Sequence, residues 1–193
     1  MKGIIFNLLE EVVVQHHGAD AWDDLLEAAG VDGAFTSLGN YPDEMIGALV
    51  GAAARRFQVS PTEITRWFGR EALPALAARY PMFFANHTSA RSFLLSLNSI
   101  IHPEVRKVYP GAEAPDFDFS GSTRDRLIMK YRSRRRLCAL AWGLIEGSAA
   151  RFGERVTVEH RTCMLSGAES CVFEIELGPA EALAKPAAPT RTA

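Results

Sequence analysis

The sequence predicts an α+β protein, a set of amphipathic helices followed by an antiparallel sheet that one further helix interrupts. Three observations lead there. From Lys2 to Tyr109, apolar residues recur at helical spacing in blocks separated by Gly and Pro. After Gly111 the spacing changes to alternation, as in Asp116-Phe117-Asp118-Phe119-Ser120. A further apolar block of helical length, Leu137 to Phe152, then divides the alternating segments into two pairs.

The first helix spans Lys2 to His17, with Ile4, Ile5, Leu8, Leu9, Val12 and Val13 near one stripe, and Gly18 ends it. His16 and His17 in its last turn suit the helix dipole and read as structural. A second helix covers Ala21 to Ala29 and stops at Gly30. Val31 to Tyr41 is a loop, and Pro42 opens a helix from Asp43 to Phe57. Ser60-Pro61-Thr62-Glu63 is a helix start with a serine cap and a glutamate at the third position. That helix reaches Tyr80, with a kink expected at Pro74. Asp116–Ser120 and Arg126–Ser133 form a strand pair around Gly121-Ser122, and Val156–Cys163 and Cys171–Leu177 form another around Gly167. The boundaries implied are a helical subdomain over 1–60, an α+β subdomain over 61–177, and a flexible tail over 178–193, which is poor in large apolar residues.

The chain of 193 residues is 48% hydrophobic, enough to bury a core, and carries a net charge of −2. Nothing global therefore draws it to nucleic acid or to an anionic membrane. No apolar run approaches the length of a membrane span. The first residues turn acidic at Glu10 and Glu11 and lack a cleavage signal, so a cytoplasmic location is expected. Three cysteines without an export signal suggest thiols or a metal site.

Ser89 to Arg135 carries the functional signal. On the helix from Ser89 to Tyr109, His102 shares a face with Leu94, Leu95, Asn98, Val105 and Tyr109. Pro103 removes a backbone donor and disfavours the helical conformation for His102, which predicts a kink or a helix restart. A lone histidine on an apolar helix is more often a hydrogen-bonded core residue than a ligand. Tyr131, Ser133 and Arg135 have period two, so they fall on one face of an extended segment. A phenol, a hydroxyl and a guanidinium so placed suit carboxylates or phosphates.

His102, Pro115 and Tyr131-x-Ser133-x-Arg135, in this order and spacing, resemble the haem nitric oxide/oxygen-binding family, the H-NOX domains. The likeness runs from the N-terminal Met-Lys-Gly to about Leu177 and includes Gly143 to Ala149. It implies haem b between the two subdomains, with His102 on the iron and Tyr131, Ser133 and Arg135 on the propionates. Pro115 and Ile5 would press on the porphyrin and distort it. Leu140, Leu144 and Leu9 would line the gas pocket. Oxygen binders of the family carry a tyrosine at the place of Leu140, and Leu9 and Ala72 are likewise apolar here. The resemblance thus implies a sensor that takes nitric oxide and CO and discriminates against O2, since bound oxygen would lack a hydrogen-bond donor. Such stand-alone domains regulate a histidine kinase or an enzyme of cyclic di-GMP synthesis or breakdown, and they are not enzymes. A peroxidase would need a distal acid–base group, and none is evident.

A second constellation is Cys138, His160, Cys163 and Cys171, a donor set suited to structural zinc. Cys163 and Cys171 are equally distant from Gly167, so they face each other across a hairpin. His160 has the opposite parity and needs a bulge near Arg161 to join them. A Cys163–Cys171 disulfide and plain buried thiols are the alternatives. Some bacterial H-NOX members have the same zinc set, and a zinc–thiolate site would respond to oxidation. Cys163 to Phe173 also resembles the haem-free, zinc-containing small-ligand domains named after vinyl reductase. That alternative leaves His102 and the Y-x-S-x-R set without a purpose.

Overall fold

A computed structural model of the chain describes residues 1–124 and 126–179. Its first half is helical: α1 (Gly3–His17), α2 (Ala19–Ala29), α3 (Asp43–Phe57), α4 (Pro61–Arg79), α5 (Ala90–Leu95) and α6 (His102–Val108). The second half sets β1 (Asp116–Asp118), β2 (Leu127–Arg132), α7 (Cys138–Arg151), β3 (Glu154–Thr162) and β4 (Cys171–Pro179) into one antiparallel sheet of order β1-β2-β4-β3 plus one helix. The α+β expectation holds. Of the tail expected over 178–193, Gly178 and Pro179 belong to β4, which pairs Pro179 with Glu154, and residues from 180 lie outside those described.

The chain start is fastened before α1 begins. The Met1 ammonium donates to the Tyr41 carbonyl and the Asp43 carboxylate, both at 2.6 Å, and Gly3 N–H reaches the Gly39 carbonyl at 3.0 Å. A Cβ on Gly3 would lie 1.9 Å from the Thr36 carbonyl oxygen, so only glycine lets the loop approach this closely. These bonds fix the rotation of α1. Phe6, Leu8, Leu9, Val12 and Val13 then face the N-terminal core, where Phe6 stacks on Phe35 at 4.2 Å. Ser60 and Glu63 form the expected capping box on α4. Pro74 does not end α4, which continues to Arg79. The N-terminal core extends beyond residue 60, for it includes Ile64, Phe68 and Ala72 of α4 and also Tyr109.

Helices α4 and α7 cross at glycines. A Cβ on Gly69 would stand 2.5 Å from the Leu140 carbonyl oxygen, and one on Gly143 only 1.9 Å from that of Arg66. Arg66 spans the same crossing, with its guanidinium on Glu146 and 4.0 Å over the Trp142 ring. In the sheet, Leu127, Met129 and Tyr131 of β2 and Cys171, Phe173 and Ile175 of β4 point inward under α7, as their alternation requires. The register pairs Tyr131 with both Phe117 and Cys171.

Three local expectations change. β1 stops at Asp118 because that carboxylate accepts from the Ser120 amide and hydroxyl, each at 2.7 Å, and turns the chain. β2 ends at Arg132, so Ser133 and Arg135 lie beyond the strand in a turn where Arg136 has φ 51°. Leu95 is 43% exposed and does not share the face of His102. Between them lies a π-helical turn, Leu97–Ile101, closed by bonds from Ile101 N–H to the Ser96 carbonyl and His102 N–H to that of Leu97. The extra residue of a π turn rotates the helix on its N-terminal side relative to the helix on its C-terminal side. α6 then restarts at His102 with Pro103 in its first turn. His102 itself keeps helical dihedrals, φ −66° and ψ −37°.

Candidate functional site

A cavity of about 340 Å³ lies between α1, α4, α6, α7 and the face of β2, within the range of cofactor sites. His102, Val105, Pro115 and Phe117 form one wall, and Ile5, Leu73, Leu140 and Leu144 belong to its apolar lining. The His102 imidazole stacks beside Phe117 at 5.5 Å, and its Nδ1 is buried with no hydrogen-bond partner. Burial and the Arg106 guanidinium outweigh the Pro115 backbone and Asp116, bringing its pKa down to about 4. The ring is therefore neutral at pH 7, the form in which a histidine ligates a metal. Asn98, one helical turn earlier, donates to the Phe117 carbonyl and accepts from its amide, tying β1 to the π turn.

Tyr131, Ser133 and Arg135 also line this cavity. They converge through the turn after β2 instead of by strand alternation. Tyr131 is almost fully buried, which raises its phenol pKa against the Ser133 hydroxyl and the Leu137 backbone, both of which lower it. Arg135 amide donates to the Ser133 hydroxyl at 3.2 Å. The Arg135 guanidinium meets Asp43 at 2.8 Å and the Glu113 carbonyl at 3.0 Å. Burial acts against the Asp43 carboxylate, but the Met1 ammonium and Arg135 outweigh it and hold its pKa below the usual value. One network thus links the chain start, α3 and the turn after β2.

Cys138, His160, Cys163 and Cys171 gather on the other side of α7, their ligand atoms all within 4.8 Å of one another. The sheet register slips between His160 and Thr162, the bulge that the parity of His160 required. The three thiols are free, with the Cys138 and Cys163 sulfurs 3.8 Å apart, so no disulfide forms here. Two sulfurs on a tetrahedral zinc, each at about 2.3 Å, stand about 3.8 Å apart. His160 Nε2 is buried without a partner. Burial and the neighbouring Cys171 push the Cys138 thiol up to about 12. At Cys163 burial opposes the thiolate, but the Leu165 amide and the Cys138 hydrogen bond outweigh it and lower its pKa. Three thiols and an imidazole nitrogen, all pointing inward, fit a zinc ion in donor type and number.

A family model described as haem-NO-binding matches residues 2–160. The chain belongs to this family of haem-based gas sensors. Among solved structures, an H-NOX protein from S. oneidensis in the Fe(II)NO ligation state is 32% identical. The match covers 92% of this chain and 99% of that one, with a TM-score of 0.86. The same organism's H-NOX domain in the Fe(II)CO state also matches at 32% identity, over 92% and 98% of the two chains, with a TM-score of 0.83. A mutant of the Fe(II) unliganded H-NOX protein from K. algicida is 26% identical over 92% and 97%, with a TM-score of 0.80.

In this H-NOX chain the cavity brings together His102, Pro115, Ile5, Tyr131, Ser133, Arg135, Leu140 and Leu144. Leu9 and Ala72 are not among its lining residues. Both are buried in the N-terminal core, Leu9 one turn beyond Ile5, and Leu73 takes the wall position beside Ala72. Sequence reasoning missed Asp43, Glu113 and the Met1 ammonium as partners of the clamp. It also missed Tyr80 as a cavity residue, whose hydroxyl is hydrogen-bonded to that of Tyr109. The seven-residue spacing of His102 and Tyr109, two helical turns, pointed at Tyr109 but carried no sign of Tyr80.

Proposed function

We propose that this H-NOX domain is a nitric oxide sensor holding haem b through His102. The observation that carries the reading is the His102 imidazole: neutral, half-buried, its buried Nδ1 without a partner, and facing a large apolar cavity. Its fit to haem is chemical: a neutral imidazole nitrogen at one wall, and Tyr131, Ser133 and Arg135 in the lining as donors for two propionates. Haem, when bound, would supply the iron that takes the gas. Pro115 and Ile5 both line the cavity, and in this reading they would press on the macrocycle and distort it. Leu140 and Leu144 offer bound oxygen no hydrogen bond, which disfavours O2 and leaves nitric oxide and CO unaffected. His102, if freed from that iron, would let α6 and the N-terminal helices shift against the sheet, and that two-state change would be the signal.

The receiver would be a histidine kinase or an enzyme of cyclic di-GMP turnover, with the domain acting as a regulator and not as an enzyme. The reading also expects a cytoplasmic setting. Among the described residues no helix is long and apolar enough to cross a membrane. Zinc held by Cys138, His160, Cys163 and Cys171 would pin the β3–β4 hairpin to the start of α7, with a secondary response to oxidants.

Absorption spectra test the sensor reading. The reduced protein should show five-coordinate ferrous haem, form no stable complex in air, and lose histidine ligation with nitric oxide. His102→Gly should bind haem weakly or only with added imidazole. Unchanged iron coordination in that variant overturns the ligand assignment.

A further inference from the structure

Helix α6 begins with His102, yet none of its residues is fully buried. Its N-terminal side is the wide π turn, a geometry that is weaker than regular helix. Its firm anchor is Tyr109, the residue just past its end, which is 7% exposed and packs in the N-terminal core. The Tyr109 amide closes α6 on the Val105 carbonyl at 2.8 Å, and its hydroxyl is hydrogen-bonded to the Tyr80 hydroxyl. Tyr80 in turn comes directly after the last residue of α4. Its amide bonds the Leu76 carbonyl at 2.9 Å and its ring stacks on Phe83 at 5.7 Å. Both tyrosines line the same cavity as His102.

We propose that the Tyr80–Tyr109 hydroxyl pair clamps the far end of α6 to the end of α4 and so sets how readily His102 leaves the iron. The proposal deepens the sensor reading and rests on it. A helix hinged at a π turn, its other end held by the packed Tyr109 ring and by this hydrogen bond, moves more readily once the bond is removed. Both residues are positioning groups, since they act on the ligand through its helix. Burial and Tyr80 push the Tyr109 phenol up to about 12, so the clamp stays a neutral hydrogen bond at physiological pH. One such bond changes an equilibrium or rate by between about twofold and tenfold. The phenyl rings would still pack without their hydroxyls, so Tyr→Phe removes the clamp and leaves the core intact.

The test compares Tyr80→Phe, Tyr109→Phe and the double variant with the parent, haem-loaded and haem-free. Hydrogen exchange reads the amides of α6. Stopped-flow absorption reads the conversion of the nitric oxide complex from six- to five-coordinate. Each single variant should speed both by about twofold to tenfold, and the double variant no further, because both changes break one bond. Faster exchange with an unchanged conversion rate overturns the proposal, as do additive effects in the double variant. If the parent complex keeps its histidine, the sensor reading fails by itself. The clamp is then judged on exchange in the haem-free chain, where unchanged α6 amides in both single variants overturn it.

Discussion

Gly143→Ala is the sharpest perturbation of this fold. An added Cβ at 143 would lie 1.9 Å from the Arg66 carbonyl oxygen and 2.8 Å from the Arg70 nitrogen, where real Cβ atoms essentially never come under 3.0 Å. Both neighbours are backbone, so no side-chain rotation relieves them. Helices α4 and α7 must part by about 1.1 Å at their crossing, from 1.9 Å to 3.0 Å. Overpacking of this kind costs about 1–3 kcal/mol. Alanine returns about 0.8–1 kcal/mol through its better helix propensity. With three backbone atoms of α4 closer than 3.0 Å, the overpacking cost should lie near the upper end and the net loss be about 2 kcal/mol. That corresponds to a Tm lower by about 4–8 °C for a domain of this size. Gly47→Ala is the internal control. Gly47 lies exposed within α3, and a Cβ there meets nothing within 4 Å. It should gain about 0.5–1 kcal/mol from propensity alone. Urea unfolding of both variants, with equal m-values, measures the contrast. A Gly143→Ala protein as stable as the parent would refute the close crossing.

The two sites and the β1 turn give further expected outcomes. Leu140→Tyr places a hydroxyl in the cavity and should slow oxygen dissociation by about twofold to tenfold, read by flash photolysis. No gain there would assign gas selectivity to pocket shape. Peroxide should release one zinc per chain to a colorimetric chelator, and Cys163→Ser should lower the zinc content of the protein as purified. Retained zinc after oxidation removes the redox role. Asp118 has its carboxyl brought down to about 2 by the Ser120 amide and hydroxyl and by Lys130. Its folded pKa lies below the unfolded 3.8, so its contribution is full above that value and fades as pH falls towards 2. Asp118→Asn should flatten the acid limb of the stability curve in that window. An unchanged limb would show that other carboxylates dominate.

Much of this architecture was legible in the sequence because its periodicities are clean. Ser60 and Glu63 announce α4, and the alternation in β2 and β4 gives their buried faces. The parity of His160 even required the bulge at Arg161. What escaped were consequences of contacts distant in sequence. Asp43 and Arg135 are 92 residues apart, and no local pattern pairs them. Leu95 looked equivalent to Leu94 until the π turn changed the helical phase. Ser133 and Arg135 read as strand because period two is shared by strands and by a turn that happens to present alternate residues inward. Leu9 and Ala72 could not be told from cavity residues, since the core wall and the cavity wall are equally apolar.

The π turn at Leu97–Ile101 has an implication for how this segment tolerates length changes. It holds one residue more than an α-helix would need over the same path. Deleting a single residue there would leave a regular α-helix over that path, so α6 and His102 would keep their direction. The regular turns on either side hold no such slack, and a residue added or removed in them would swing His102 by roughly 100° about the helix axis. The imidazole would then leave the cavity although every residue type around it were unchanged. The π turn is therefore where this segment can lose a residue and keep its ligand in place.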